Sequence, residues 1–434
     1  MSTAPPRAGD APPAPDRADD RAEDRADRLS TGYLHQVDVV RLLTFGSVVA
    51  VHVVASTTPA DSVPARGSLM LLHFTRETFF VITGFVLFHS VRGRPGPLDV
   101  GRFWRRRYLL VGVPYLTWSV LYWVQSRGGP GDLAVQLLTG TAAYHLYFLL
   151  VSMQVYLVFP LLLRLVRATA HRPWRLLGAS AALQLVTFWL LHDVVPRWSD
   201  RPGPVTAVTR YAQQLLPSYQ LYVVAGALAA VHLAAVQRWV LAHGRLVAAA
   251  VTVGAVLTEA VYLVQVARGA DPGHASEVLQ PVMVGWTLVL TTGLLAVGLA
   301  FARHRRPSSP VSAAVREGSR ISFGVFLVHP LVIGALQSSW PGRLAEHLPP
   351  PLFQVALWLA TVVVSVAAAE VGARSPLSLP LVGRQHQGRR PARAAPSAEP
   401  PAEPPAEPPT EPSAAPSAPS GARRSGAVAP EGRT

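Results

Sequence analysis

The sequence contains no cysteine and no lysine. The lack of cysteine excludes disulfide bonds, thiolate nucleophiles and zinc sites built on cysteine. Because lysine is absent, all 39 basic residues are arginines, a bias that we attribute mainly to a GC-rich coding genome. Charged residues make up only 15% of the chain and half of it is hydrophobic. That composition is typical of a polytopic membrane protein.

The formal net charge is +14, a value also found in proteins that bind nucleic acids. Here the arginines cluster in short segments between apolar stretches. That arrangement is the one that orients membrane proteins. We therefore expect a lipid bilayer around the protein and no nucleic-acid partner.

Ten apolar windows are long enough to cross a bilayer as helices of roughly 17–25 residues. Arginine is more frequent in the loops that a cytoplasmic N-terminus would place inside, and an even number of spans returns the C-terminus to the same side. The sequence predicts an all-α, polytopic membrane helix bundle of about ten transmembrane helices with both termini cytoplasmic. The windows lie near 36–56, 69–91, 108–125, 144–166, 175–192, 213–234, 239–265, 280–302, 321–340 and 352–372.

The two ends of the chain have a different composition. Residues 1–32 are rich in Pro, Ala, Asp and Arg, and residues 385–434 include tandem Ala-Glu-Pro-Pro repeats. Segments of this kind do not bury a core. We expect two disordered tails around a membrane domain at 33–375. The first apolar window contains charged residues, unlike the core of a signal peptide, so we expect it to be retained.

That first window contains three ionisable side chains: Asp38, Arg41 and His52. At about 100° per residue, the step from Arg41 to His52 makes about three helical turns, which places both on one face about 16 Å apart. Asp38 lies on the same face. Ionisable groups at membrane depth are costly and usually mark functional sites. The alternative is a structural Asp38–Arg41 pair beside a histidine that only forms hydrogen bonds.

Histidine accepts and returns a proton near neutral pH, and arginine binds phosphate, carboxylate or a developing oxyanion. A second basic element, Arg105-Arg106-Arg107, precedes the third window. It is either an anchor at the cytoplasmic interface or a binding site for a phosphorylated ligand. Further ionisable groups inside the windows include Glu77, His145, Glu259, His329 and Glu370.

Five segments of the chain carry a recognisable pattern. They are Val37-Asp38-Val-Val-Arg41 followed by His52, Phe79-Phe80-Val-Ile-Thr83-Gly84-Phe85, Phe103-Trp-Arg-Arg-Arg107 with Pro114-Tyr115-Leu-Thr-Trp118, Tyr144-His145-Leu-Tyr-Phe148, and Ser322-Phe-Gly-Val-Phe-Leu-Val-His329-Pro330. These segments resemble the acyltransferase-3 family of integral membrane acyltransferases, and are most similar to its surface-polysaccharide O-acetyltransferase branch. They run in family order and cover about 36–372. Three positions depart from the family pattern: Val39 replaces a glycine, Thr83 replaces a serine, and Leu110 stands where many members have a second arginine.

The resemblance implies transfer of an acyl group, usually acetyl, from cytoplasmic acyl-coenzyme A to a hydroxyl of a carbohydrate or glycosylated small molecule. No metal is expected. We interpret His52 as the general base or the nucleophile, Arg41 as the group that orients the thioester or stabilises its oxyanion, and Asp38 as the residue that holds Arg41. Donor-phosphate contacts are expected from Arg105, Arg106 and Arg107, and secondary site roles from Glu77, His145 and His329.

Two other functions fit parts of the pattern. A transporter or exporter of a polysaccharide or a lipid-linked precursor would also have many spans and buried charges. A non-catalytic scaffold would act through the Pro-rich tail. We favour the acyltransferase, and we expect it in the plasma membrane of a bacterium as a multi-pass protein.

Overall fold

The computed structural model describes residues 33–91, 96–129, 131–195, 210–339 and 348–384. These residues are mainly helical and include no β-strand, which confirms the all-α fold class. The predicted tails at 1–32 and 385–434 lie outside the described residues. The α-helices are α1 (His35–Thr57), α2 (Val63–Leu72), α3 (Thr75–Val91), α4 (Val100–Gln125), α5 (Asp132–Thr139), α6 (Tyr147–Ala168), α7 (Pro173–Trp189), α8 (Gln220–Val231), α9 (Leu233–Ala242), α10 (Gly244–Ala267), α11 (Pro272–Ala275), α12 (Pro281–His304), α13 (Pro310–Ser339), α14 (Pro350–Arg374) and α15 (Ser378–Val382).

Eight helical segments in the described part of the chain are long and apolar enough to cross a membrane, and α2 and α3 count together as one of them. A ninth candidate runs from Leu216 to Ala242 and bends by 93° between α8 and α9. Helix α4 has 26 residues, but its arginines, tryptophans and tyrosines make it less apolar than the others. The chain is a multi-pass membrane protein, while the count of ten and the side of the termini stay predictions.

The distribution of side chains is the reverse of that in a soluble protein. Leu116, Val120 and Val124 on α4 are exposed to the surroundings, whereas Gln184 and Thr287 are fully buried. Exposed apolar rows are stable when lipid covers them, and polar groups then pack toward the interior of the bundle. This pattern agrees with a bilayer environment.

Helices α3 and α8 approach each other closely at two glycines. A Cβ atom at Gly84 would collide with the backbone carbonyl of Val223, and one at Gly226 would collide with that of Val81. Small residues permit such close contact between membrane helices. Gly84 belongs to the family-like segment at 79–85, so this glycine has a direct packing reason. The contact fixes the position of α3 against α8.

Helix α1 lies at the centre of the bundle and packs against α12, α13 and α14. Two contacts show how tightly it is held. A Cβ atom at Gly298 of α12 would collide with the backbone of Gln36, and the Trp358 indole N–H of α14 donates to the carbonyl of Gly46 at 2.9 Å. The polar face of α1 is therefore enclosed by protein on several sides.

Candidate functional site

Two cavities border α1 at opposite ends of the bundle. The arginine cavity, of about 800 Å³, uses the beginning of α1 and the second half of α3. The histidine cavity, of about 480 Å³, uses the second half of α1 and the beginning of α3. We define the first by Asp38, Arg41, Arg106, Arg107, Arg316, Ser319, Arg320 and Arg384, and the second by His52, His73, Arg76, Tyr144, His145, Tyr147 and Gln213.

In the arginine cavity, the hydroxyl of Ser319 links the two predicted polar residues of α1. Ser319 donates to Asp38 Oδ1 at 2.6 Å, and Arg41 Nη1 donates to the Ser319 oxygen at 3.4 Å. The contact between Asp38 and Arg41 therefore runs through a serine of α13. Nothing in the sequence pattern distinguished Ser319, because it lies 281 positions from Asp38.

Tyr33, just before α1, closes the same end of the cavity. Burial and the neighbouring Asp38 carboxylate raise the pKa of Tyr33 to about 12. The phenol therefore stays neutral at physiological pH and keeps its hydroxyl hydrogen.

Of the three consecutive arginines of α4, two line the arginine cavity. Arg106 and Arg107 line the arginine cavity, whereas Arg105 is exposed and does not reach its wall. The reason is helical geometry, since consecutive residues point about 100° apart. The Arg107 guanidinium also lies 5.7 Å from the ring centre of Phe103 and 5.8 Å from that of Tyr156, close enough for cation–π stabilisation.

The segment from α13 to α15 supplies arginines that the sequence analysis did not select as site residues. Arg316 and Arg320 of α13 and Arg384 after α15 line the arginine cavity. Arg320 forms ion pairs with Glu317 and Glu370, and Arg384 Nη1 donates to the carbonyl of Arg320 at 2.8 Å. The arginine density of the predicted inner loops was the available signal. It indicated membrane orientation but not a shared cavity.

At the histidine cavity, three histidines from separate parts of the chain converge: His52 and His145 line the wall, and His329 is buried beside them. The ring centre of His52 lies 5.2 Å from that of His329 on α13, and His329 lies 5.4 Å from His145 in the turn before α6. The ring of Tyr144 lies tilted at 43° to that of His52, with centres 4.4 Å apart. The structure therefore brings together three of the histidines selected from the sequence. His52 itself lines the cavity and stays partly exposed to it.

The hydrogen bonding of His329 fixes the arrangement of its protons. Its Nδ1 lies 2.8 Å from the carbonyl oxygen of Phe326. A carbonyl oxygen only accepts, so Nδ1 carries the hydrogen and the neutral ring keeps its lone pair on Nε2. That nitrogen is buried. His329 therefore offers an acceptor nitrogen beside the ring of His52.

Arg76 brings a positive charge to the histidine cavity. Its Nη1 donates to the Tyr147 hydroxyl and to Gln213 Oε1, both at 3.1 Å. Glu77 is fully buried and its Oε1 lies 3.6 Å from Arg76 Nη2. Glu77 does not line the cavity and partly balances the charge of Arg76. Arg76 and His73 were missed as site residues, although an arginine inside an apolar window was a signal.

One further group of potential metal ligands lies apart from both cavities. The ligating atoms of His192, His274 and Glu277 lie within 4.8 Å of one another. The two imidazole rings are stacked, with an interplanar angle of 11° and centres 4.5 Å apart. A metal ion binds near the plane of each imidazole at about 2.0–2.1 Å, so parallel stacked rings do not share an ion in this arrangement.

The comparison with family models agrees with the geometry. Residues 34–370 match the acyltransferase-3 model, which is described as an acyltransferase domain. The match runs from the start of α1 to near the end of α14, and so includes most of the walls of both cavities. No curated protein and no solved structure gives a significant match to this chain. The chain belongs to the acyltransferase-3 family of membrane acyltransferases.

Proposed function

We propose that the protein transfers an acyl group, most simply acetyl, from acyl-coenzyme A to a hydroxyl of a carbohydrate or glycosylated acceptor. The observation that carries this proposal is the pairing of two unlike cavities on one helix. One cavity is rich in arginine, and the other is lined by His52 and His145, whose rings both lie close to that of the buried His329.

The arginine cavity suits the donor. Coenzyme A carries several phosphate groups, and the planar guanidinium group is a good ligand for them. Arg41, Arg106, Arg107, Arg316 and Arg384 all line this cavity. The arginine bias of the loops supports a cytoplasmic position for the same end, and acyl-coenzyme A is made in the cytoplasm. We therefore propose that the donor binds with its phosphates among these arginines.

The histidine cavity suits the acceptor. Its wall combines aromatic rings with hydrogen-bonding groups, including Tyr144 and Gln213, a combination that fits the apolar faces and hydroxyls of a sugar. The acceptor oxygen bonds to the thioester carbonyl carbon and the carbon–sulfur bond breaks. The hydroxyl proton passes to His52 and then to the departing thiolate. If His52 instead attacks first, its imidazole carries the acyl group to the acceptor.

We further propose that the acceptor is a polysaccharide or its precursor at a bacterial plasma membrane. A multi-pass protein fits that setting, with the donor on one side of the bilayer and the acceptor on the other. The aromatic and polar groups in the wall of the histidine cavity support a carbohydrate as the acceptor. We expect the wall between the two cavities to determine how long an acyl group the protein can transfer.

The test uses the full chain in sealed proteoliposomes, with acetyl-coenzyme A on one side and a labelled oligosaccharide on the other. We expect free coenzyme A to appear in step with acetylated oligosaccharide, and both to disappear in His52→Ala. Movement of unmodified oligosaccharide across the bilayer without release of coenzyme A would reject the proposal and favour the transporter. Two cavities at opposite ends of a bundle are also the geometry of a transporter, so both products are measured together.

A further inference from the structure

Four phenylalanine rings lie between the arginine cavity and the histidine cavity and contact one another in a closed circuit. The ring centres are 5.4 Å apart for Phe45 and Phe79, 4.3 Å for Phe79 and Phe148, 5.5 Å for Phe148 and Phe326, and 5.9 Å for Phe326 and Phe45. The four residues come from α1, α3, α6 and α13. We call this group the phenylalanine partition.

The lining of the two cavities shows which ring separates them. Phe45 lines the arginine cavity, while Phe148 and Phe326 line the histidine cavity. Phe79 lines both. The wall between the cavities is therefore one phenyl ring thick at Phe79.

Phe79 also has the most freedom of the four. Phe45, Phe148 and Phe326 are buried in the core, with exposures of 4%, 5% and 6%, whereas Phe79 is only partly buried. Its contacts with Phe45 and Phe148 are both edge-to-face, at 89°. A ring with open space on two sides changes rotamer more easily than one enclosed by packed side chains.

Acyl transfer requires the acyl-bearing end of the donor to pass the phenylalanine partition. His52 lies about two helical turns beyond Phe45, about 10 Å along α1. A reacting carbonyl must come within about 3–3.5 Å of its partner, so a donor whose phosphates stay with the arginines has to extend its thioester past the phenylalanines. The coenzyme A arm is a thin chain that ends in sulfur, and its acyl group is the part of the donor that reaches the ring first.

We propose that Phe79 is the specificity-determining residue of the transfer: its ring turns aside to admit the acyl-bearing arm and sets the size of the acyl group that reaches His52. This inference rests on the proposed function for its substrate. In the closed position the partition keeps the thioester away from water in the histidine cavity. In the open position a short acyl group passes more easily than a long or branched one.

The absence of cysteine makes a direct test simple. Ala55→Cys places the only thiol of the chain in the wall of the histidine cavity. Membrane vesicles of both orientations are treated with a charged thiol reagent that does not cross lipid. The labelling rate is measured in the Ala55→Cys protein with Phe79 intact and in the same protein carrying Phe79→Ala or Phe79→Leu. Loss of two edge-to-face contacts is expected to raise labelling from the arginine side by about tenfold. Labelling from the histidine side should stay the same.

The matched control is Phe85→Ala on the same helix, because Phe85 is partly buried and lines neither cavity. It should leave both labelling rates unchanged. Phe79→Leu keeps an apolar side chain, so it tests the inference even if Phe79→Ala fails to fold. Equal labelling from the arginine side in Phe79, Phe79→Ala and Phe79→Leu would overturn the partition.

A second measurement compares acetyl-, butyryl- and hexanoyl-coenzyme A as donors. Phe79→Ala should raise the ratio of hexanoyl to acetyl transfer by about tenfold, since the same ring contacts resist the larger group, and Phe85→Ala should not. An unchanged ratio would overturn the role of Phe79 in specificity. The labelling assay needs no turnover, so a protein that is inactive with every donor but shows the labelling change would refute the proposed function and leave the partition intact.

Discussion

The two cavities hold their polar groups in opposite ways. In the arginine cavity, long side chains such as Arg106 and Arg316 are exposed and come from the ends of helices. At the histidine cavity, His145 in the wall and His329 beside it are buried and packed against aromatic rings. Mobile cations suit a large flexible anion, because they adapt to several phosphates. Rigid rings suit chemistry, which requires fixed positions.

This difference predicts different kinds of kinetic defect. Substitutions in the histidine cavity should lower kcat, since they remove groups that act on the transition state. Substitutions in the arginine cavity should mainly raise KM for the donor, since they weaken uniform binding. If variants of both cavities changed kcat and donor KM in the same way, this distinction between the two cavities would be wrong.

The largest effect is expected for His52→Ala. Loss of a general base or nucleophile should lower kcat by about 10²–10⁴-fold with little change in donor KM. Turnover of acetyl-coenzyme A is measured with saturating acceptor. His243→Ala is the matched control, because His243 is exposed in the turn between α9 and α10 and its ring contacts Trp239 of α9; it should keep normal turnover. A near-normal kcat in His52→Ala would end the catalytic assignment.

The same variant set separates the two chemical routes. If His52 is a nucleophile, rapid quenching of the wild-type protein with labelled acetyl-coenzyme A and no acceptor should trap one acetyl group on the chain, and His52→Ala should abolish it. If His52 is a base, no label is trapped. Retention of label in His52→Ala would place the acyl group on another residue.

The next effect is expected for Arg107→Gln, with its neighbour Arg105→Gln as the control. Loss of one charge-assisted hydrogen bond to a donor phosphate costs about 1.5–3 kcal/mol, which raises donor KM about tenfold or more. Arg105 does not line the cavity, so its variant should stay within about twofold, as surface substitutions do. Equal increases in both variants would mean that the helical face of α4 does not select the phosphate ligands.

A smaller effect is expected for Ser319→Ala. The substitution removes the bond to Asp38 Oδ1 and leaves a buried carboxylate oxygen without that donor, at a cost of about 1–3 kcal/mol. Thermal unfolding in detergent should shift downward, and donor KM should rise because Arg41 loses its fixed partner. Ser338→Ala on the same helix removes only a local exposed bond and should change neither. An unchanged unfolding temperature in Ser319→Ala would show that Asp38 is held by other groups.

The sequence predicted what depends on helical periodicity and on the cost of charge in a membrane. Both are local properties, so Asp38, Arg41 and His52 could be placed on one face of α1 from their spacing alone. Arg105 was grouped with Arg106 and Arg107 because a run of like residues gives no reason to choose among them. Only the packing of α4 decides which of the three reaches the cavity.

Other features depend on contacts between distant segments. Ser319 meets Asp38 across 281 positions, and the phenylalanine partition joins four helices without any regular spacing. Arg384 lies beyond the family match, which ends at residue 370. No local pattern relates these residues, so their roles follow only from the folded chain.

The smallest expected effect would restore the family pattern at Leu110. This residue lines the arginine cavity at the position where many family members have a second arginine. Leu110→Arg should add one partly exposed contact to a donor phosphate, worth about 0.2–1 kcal/mol, and so lower donor KM by up to about fivefold. Leu110→Met controls for the change of side-chain shape and should leave KM unchanged. If Leu110→Arg raised donor KM instead, the arginines of α13 and Arg384 would already fill the space that the family arginine occupies. Donor binding would then depend on α13 and Arg384 rather than on α4.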